Sequence, residues 1–103
     1  MTTNGETAWR EAQWEHEAAQ IDRALEVAEQ QLGEAEQRLL AAKQHLRRAS
    51  ARGPALMYWA QQVQGLHTER SRLRAERNQL RTERNRLGAR LDDLDAWKGR
   101  SSP

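Results

Sequence analysis

Two heptad repeats separated by Gly53-Pro54 constrain this chain more than any other feature. From residue 14 the apolar series Trp14, Ala18, Ile21, Leu25, Ala28, Leu32, Ala35, Leu39, Ala42, Leu46, Ala49 alternates spacings of four and three without a miss. Beyond the break, Leu66, Leu73, Leu80, Leu87 and Leu94 recur at every seventh residue. On a helix, such a repeat collects the apolar side chains into one narrow seam, and that seam is stable in water only against a partner helix. The Gly-Pro pair marks where one helix stops and the next starts: glycine suits the left-handed position after a helix C-terminus, and proline the first turn of a new helix.

The expected fold is therefore all-α, a long antiparallel two-helix coiled-coil hairpin. Its parts are a flexible N-terminus over 1–6, helix one over about 7–51, a turn at 52–54, helix two over about 54–97, and a flexible tail over 99–103, with the hairpin as a whole spanning 7–98. At 103 residues, with few aromatics and 31% charged residues, the chain suits long helices better than a packed globular core.

The two seams can be laid against each other. Folding at Arg52/Gly53 opposes Leu46 with Trp59, Leu39 with Leu66, Leu32 with Leu73, Leu25 with Leu80 and Ala18 with Leu87. The intervening layers set Ala42 against Val63, Ala35 against Arg70, Ala28 against Arg77, and Ile21 against Arg84. Small residues meet large ones, and an arginine facing alanine can lay its methylenes on the seam while its charge leaves for solvent. The flanking charges fit the same arrangement, with Asp22 near Arg81, Glu29 near Arg74, Glu36 near His67, Glu17 near Arg90 and Arg38 near Glu69. The competing arrangement, a parallel zipper of helix two with its own copy, stacks Arg70, Arg77 and Arg84 on themselves and leaves the seam of helix one uncovered. On the outer face of helix two, Thr68, Ala75, Thr82, Ala89 and Ala96 are small enough to admit a second hairpin, and a dimer forming a four-helix bundle is the expected assembly.

Charge gives the clearest pointer to function. Residues 37–68 contain no acid but carry Arg38, Lys43, Arg47, Arg48 and Arg52, with His45 and His67. In a hairpin these residues gather at the turn, making a basic tip beside Leu56, Met57, Tyr58 and Trp59. The opposite, open end is rich in Glu6, Glu11, Glu15, Glu17, Asp22, Asp92, Asp93 and Asp95. A basic tip suits an acidic protein surface or a phosphate backbone, and the expected partner-binding residues are Lys43, Arg47, Arg48, Arg52 and Tyr58. Lysine and arginine near a helix C-terminus also complement the helix dipole with no ligand present. The arginine-rich stretch from Arg70 to Arg90 reads as seam and flank residues paired with nearby acids, not as a binding stripe.

Other chemistry finds little support. There is no cysteine, so thiolate metal sites and disulfides are out of reach. His16, His45 and His67 fall on different helix faces and do not converge on a metal. No nucleophile–base pair, carboxylate pair or phosphate-cradling glycine loop occurs. A two-helix hairpin also offers little concavity for a small-molecule substrate. No apolar run approaches the roughly 18–20 residues of a membrane span, and the first residues lack a signal-peptide pattern, so a cytoplasmic location is expected. Trp14 and Trp59 read as seam residues, while Trp9 and Trp97 with Leu94 read more plainly as a cap closing the open end than as an apolar patch for a partner. The leucine heptads after a basic stretch superficially resemble a basic leucine zipper, but Gly53-Pro54 breaks the continuous helix which that module requires. The expected function is that of a non-catalytic, cofactor-free adaptor or scaffold, homo-oligomeric (dimeric by preference), docking through its basic tip. Sequence-independent nucleic-acid binding by the same tip is the alternative.

Overall fold

The computed structural model describes residues 2–49 and 53–101, with side chains over 5–49 and 53–100. It consists of two helices, α1 (Thr2–Arg48) and α2 (Pro54–Ser101), packed as a hairpin. They are of nearly equal length, 47 and 48 residues. α1 starts earlier than the heptads suggest and takes in residues 2–6, while α2 continues past Trp97 to Ser101. Of the expected turn at 52–54, Arg52 lies outside the described residues.

The turn-flanking backbone corrects one expectation. Among the described residues no glycine adopts a positive φ, so Gly53 is not a left-handed terminator of α1. Its carbonyl instead accepts a hydrogen bond from the Leu56 amide at 3.1 Å. Gly53 therefore serves as the N-cap of α2, and Pro54 takes the first helical position, where its missing N–H has no partner to lose. At the other side, the Ala49 amide donates to the Leu46 carbonyl at 3.2 Å, tightening the last turn of α1 without a left-handed residue.

The helices pack in two compact units, one formed by Val27–Arg77 on the turn side and one by the residues up to Glu26 with those from Asn78 onward. In the turn-side unit, Ala28, Leu32, Ala35, Leu39, Ala42 and Leu73 are buried, and Leu32, Ala35 and Leu73 form a single apolar cluster. The Leu32–Leu73 layer is thus present as the heptads require. In the open-end unit, Ala18 and Leu87 are buried, again an expected layer. α1 contributes most of the fully buried positions, because Arg70, Arg77 and Arg84 take alternate seam positions on α2 and stay half-buried. The Nε atoms of Arg70 and Arg77 are themselves buried, so these stems do lie along the seam. Each buried leucine contributes about 1.5–3 kcal/mol, and a two-helix seam spreads that gain thinly along its length.

Glu17 with Arg90 and Arg38 with Glu69 border shared depressions as expected, while Asp22 and Glu36 take other partners than their sequence-based assignment. Arg84 Nε donates to Asp22 Oδ1 at 2.9 Å where Arg81 was expected, and Arg74 Nη2 lies 3.6 Å from Glu36 Oε1 where His67 was expected. Lys98 donates to Glu11 at the open end. The reason is geometric. Every Cα–Cβ bond on a helix tilts toward that helix's N-terminus. In an antiparallel pair the two tilts run in opposite directions in space, so side chains converge only when each residue lies C-terminal to the point directly facing its partner. Asp22–Arg84, Glu36–Arg74 and Glu11–Lys98 satisfy that condition in the register of the Leu32–Leu73 layer; Asp22–Arg81 and Glu36–His67 do not.

Candidate docking surface at the hairpin turn

The turn-side unit brings most of the expected basic residues to one place. His45, Arg47 and Arg48 occupy the last turn of α1, where cations offset the negative end of the helix dipole. Arg47 and Arg48 are exposed, and Lys43, one turn earlier, is half-buried. The first turn of α2 carries no acidic residue, so nothing neutralises the partial positive charge of its free backbone N–H groups. Two helix ends of opposite dipole sign therefore meet here, one overlaid with cations and the other bare.

Aromatic and apolar side chains stand beside these charges. The His45 imidazole stacks on the Trp59 indole with ring centroids 4.3 Å apart and planes 11° from parallel. Tyr58 meets the same indole edge-on at 5.0 Å and leaves 54% of its surface to solvent, next to Met57 at 68%. Trp59 is half-buried, so the seam ends in a stacked pair that fixes the height and orientation of Tyr58. Of the expected docking residues, Lys43, Arg47, Arg48 and Tyr58 all lie in this unit; Arg52 is outside the described residues.

A second basic contact, His67 with Arg70, lies more than three turns along α2 from Pro54. Arg70 Nη2 is 3.2 Å from Nδ1 of His67. Partial burial, followed by the charges of Lys43 and Arg70, pushes the His67 imidazole below its ordinary pKa. Neutral His67 can accept a hydrogen bond from Arg70, which is how two cations tolerate a histidine between them. The sequence marks His67 as basic and Arg70 as a seam residue, and both assignments miss this coupling. The His45–Trp59 stack is also missed, because imidazole does not register as apolar in a heptad count. The signal is nevertheless there: His45 flanks Leu46, the residue that the heptad register sets against Trp59.

At the open end, Trp9 is 66% exposed and Trp97 42%. They do not close the hairpin as expected. Trp97 borders a shallow depression of about 240 Å³ with Glu6, Thr7, Arg10, Trp14 and Leu94. Lateral depressions, such as one of about 190 Å³ lined by Gln31, Glu34, Arg38, Glu69, Arg72 and Leu73, are polar-edged and small; ligand pockets run from about 300 Å³ upward. Among the described residues no three His, Asp or Glu side chains gather as a metal site requires, and no helix is long and apolar enough to cross a membrane. No protein-family model, curated protein or solved structure matches this chain.

Proposed function

We propose that this chain is a non-catalytic coiled-coil adaptor or scaffold whose basic hairpin tip docks on an acidic protein surface. The observation that carries the reading is the composition of the tip. Exposed Arg47 and Arg48 share one unit with exposed Met57 and Tyr58, and that unit's helix ends carry no acid. Charge there supplies steering and orientation, while the apolar side chains supply area to bury. Lys43, Arg52 and Tyr58 complete the docking set. By contrast, arginines farther along α2 are engaged within the hairpin, Arg72 with Glu76, Arg74 with Glu36 and Arg84 with Asp22.

Nucleic-acid binding by the same tip is the second reading, favoured by one feature: the exposed, edge-anchored ring of Tyr58 is a stacking platform for a base. Salt dependence separates the two. Fluorescence anisotropy of a labelled poly-glutamate peptide, a labelled DNA duplex and a labelled single strand, each titrated at several salt concentrations, is run on the wild type and on Arg47→Glu/Arg48→Glu/Arg52→Glu. Protein-type docking predicts binding of the acidic peptide that the triple variant loses. Tighter binding of DNA with a steep salt slope, reflecting several released counterions, favours the second reading. Binding to none of these at low salt removes both.

A further inference from the structure

Edge residues of the turn-side unit pair across the hairpin like the rungs of a ladder, and one rung lacks its acid. Glu36 on α1 faces Arg74 on α2 at 3.6 Å. One heptad nearer the turn, the same register sets Lys43 in the place of Glu36 and His67 in the place of Arg74. A cation there faces an imidazole. Arg70 adds to the positive excess. Its Nε is buried in the seam without a hydrogen-bond partner, and its Nη2 lies 3.2 Å from Nδ1 of His67. Lys43, His67 and Arg70 are all half-buried, so their stems pack on the hairpin and the polar ends stay at its edge. Lys43 and Arg70 both act on the imidazole electrostatically, and among the described residues no carboxylate offsets them. The acids closest along the two helices are turned elsewhere. Glu36 meets Arg74, and Glu69 lines a depression with Arg38 and Arg72.

We propose that Lys43, His67 and Arg70 together take one carboxylate of the acidic partner, completing the rung that the chain leaves without an acid. The proposal rests on the turn-side unit docking an acidic protein, and it adds a defined anion site and a proton to that reading. With His67 neutral, Nδ1 accepts from Arg70, and that bond occupies one of the guanidinium's N–H groups inside the chain. Protonation makes Nδ1 a donor and ends the contact. Imidazolium, guanidinium and ammonium then stand side by side with N–H groups to spare, an arrangement that an anion relieves. A carboxylate suits it, since its two oxygens can accept from the guanidinium and the imidazolium together, with Lys43 as a point charge beside them. The bound anion in turn favours the charged imidazole. Docking therefore takes up a proton and tightens as pH falls. The charged groups facing His67 are Lys43 from α1 and Arg70 from its own helix, with the Glu36–Arg74 pair one heptad away.

The test is proton NMR of the histidines in the full chain, titrated with pH in sodium chloride, in inorganic phosphate and in poly-glutamate at matched ionic strength. His16, in the open-end unit, reports the general effect of each anion. Poly-glutamate should raise the His67 pKa more than that of His16. Lys43→Gln should remove the difference, with far-UV circular dichroism checking that the variant keeps its helices. Anisotropy of labelled poly-glutamate should show binding that tightens about two- to fivefold from pH 8 to pH 6, the weight of one partly exposed charge pair, and His67→Gln should lose most of that dependence. Poly-glutamate that binds yet moves His67 no more than His16 overturns the site and leaves the tip reading standing. A His67 response to phosphate alone makes the occupant a free anion and overturns the carboxylate assignment. Absence of poly-glutamate binding at every pH overturns the site and the tip reading together.

Discussion

Glu36 on α1 and Arg74 on α2 meet across the hairpin at 3.6 Å, although heptad numbering sets Glu36 beside His67. The tilt of side chains toward each helix's own N-terminus decides the pairing, and the same rule selects Arg84 for Asp22. A double-mutant cycle on Asp22 and Arg84 should therefore return a favourable coupling of about 0.2–1 kcal/mol that shrinks with added salt, as for other exposed pairs. A cycle on Glu36 and His67 should return about zero. Denaturant melts of the single and double variants measure both.

Adjacent leucines on α1 differ sharply in what they support. Leu39 is 3% exposed on the seam and Leu40 is 56% exposed on the outer face. Leu39→Ala should cost about 2–5 kcal/mol, transfer and cavity terms together, whereas Leu40→Ala should stay within about 0.5 kcal/mol. Leu32→Asp or Leu73→Asp, which put a charge into the central apolar cluster, should unfold the hairpin at room temperature. Thermal melts followed by circular dichroism check all four.

Gly33 and Gly65 lie inside the helices with nothing within 4 Å of an added Cβ. Neither needs glycine's backbone freedom, since no described glycine has positive φ. Gly33→Ala and Gly65→Ala should each stabilise the protein by about 0.5–1 kcal/mol through helix propensity and the reduced freedom of the unfolded chain. The double variant should show the sum as a raised Tm.

His67 gives the hairpin an acid sensitivity of defined sign. Its pKa in the folded chain is lowered by partial burial and then by Lys43 and Arg70. The unfolded chain thus takes up the proton first as pH falls. This group's contribution is fully present above the ordinary histidine pKa of about 6.5 and is lost as pH falls through that value toward the lowered folded one. Arg70→Met keeps the stem on the seam, deletes a buried Nε that lacks a hydrogen-bond partner and removes one of the two charges. It should leave stability unchanged or raised and move the His67 titration upward. Proton NMR of the imidazole across pH 4–8 reads the shift directly.

The Leu32–Leu73 layer was legible because apolar period and helix geometry share one constraint: only one face of each helix can be buried. The half-buried stems of Arg70 and Arg77 followed from their alanine neighbours for the same reason. The partners of Asp22 and Glu36 were not legible, because counting opposed positions ignores the direction in which a side chain leaves its helix. Gly53 was misread for a related reason: a glycine between two helices can end one or cap the next, and only the Leu56 amide bonding back to its carbonyl distinguishes them. The open end departed further. Hydrophobicity alone sends Trp9 inward, whereas the helix phase carries it outward. At the tip, the Trp59–His45 stack beside Tyr58 depends on ring geometry, which a residue count does not carry.

Where a polyanion touches the chain decides between docking at the tip and binding along the helices. The most direct measurement is a ¹⁵N-resolved NMR titration of the full-length chain with poly-glutamate at low salt, following every backbone amide. Docking at the tip predicts shifts concentrated between Lys43 and Trp59, with Tyr58 and the amides of the first turn of α2 moving most and salt reversing them. Shifts centred instead on Arg81, Arg86 and Arg90, or spread evenly over both helices, contradict it.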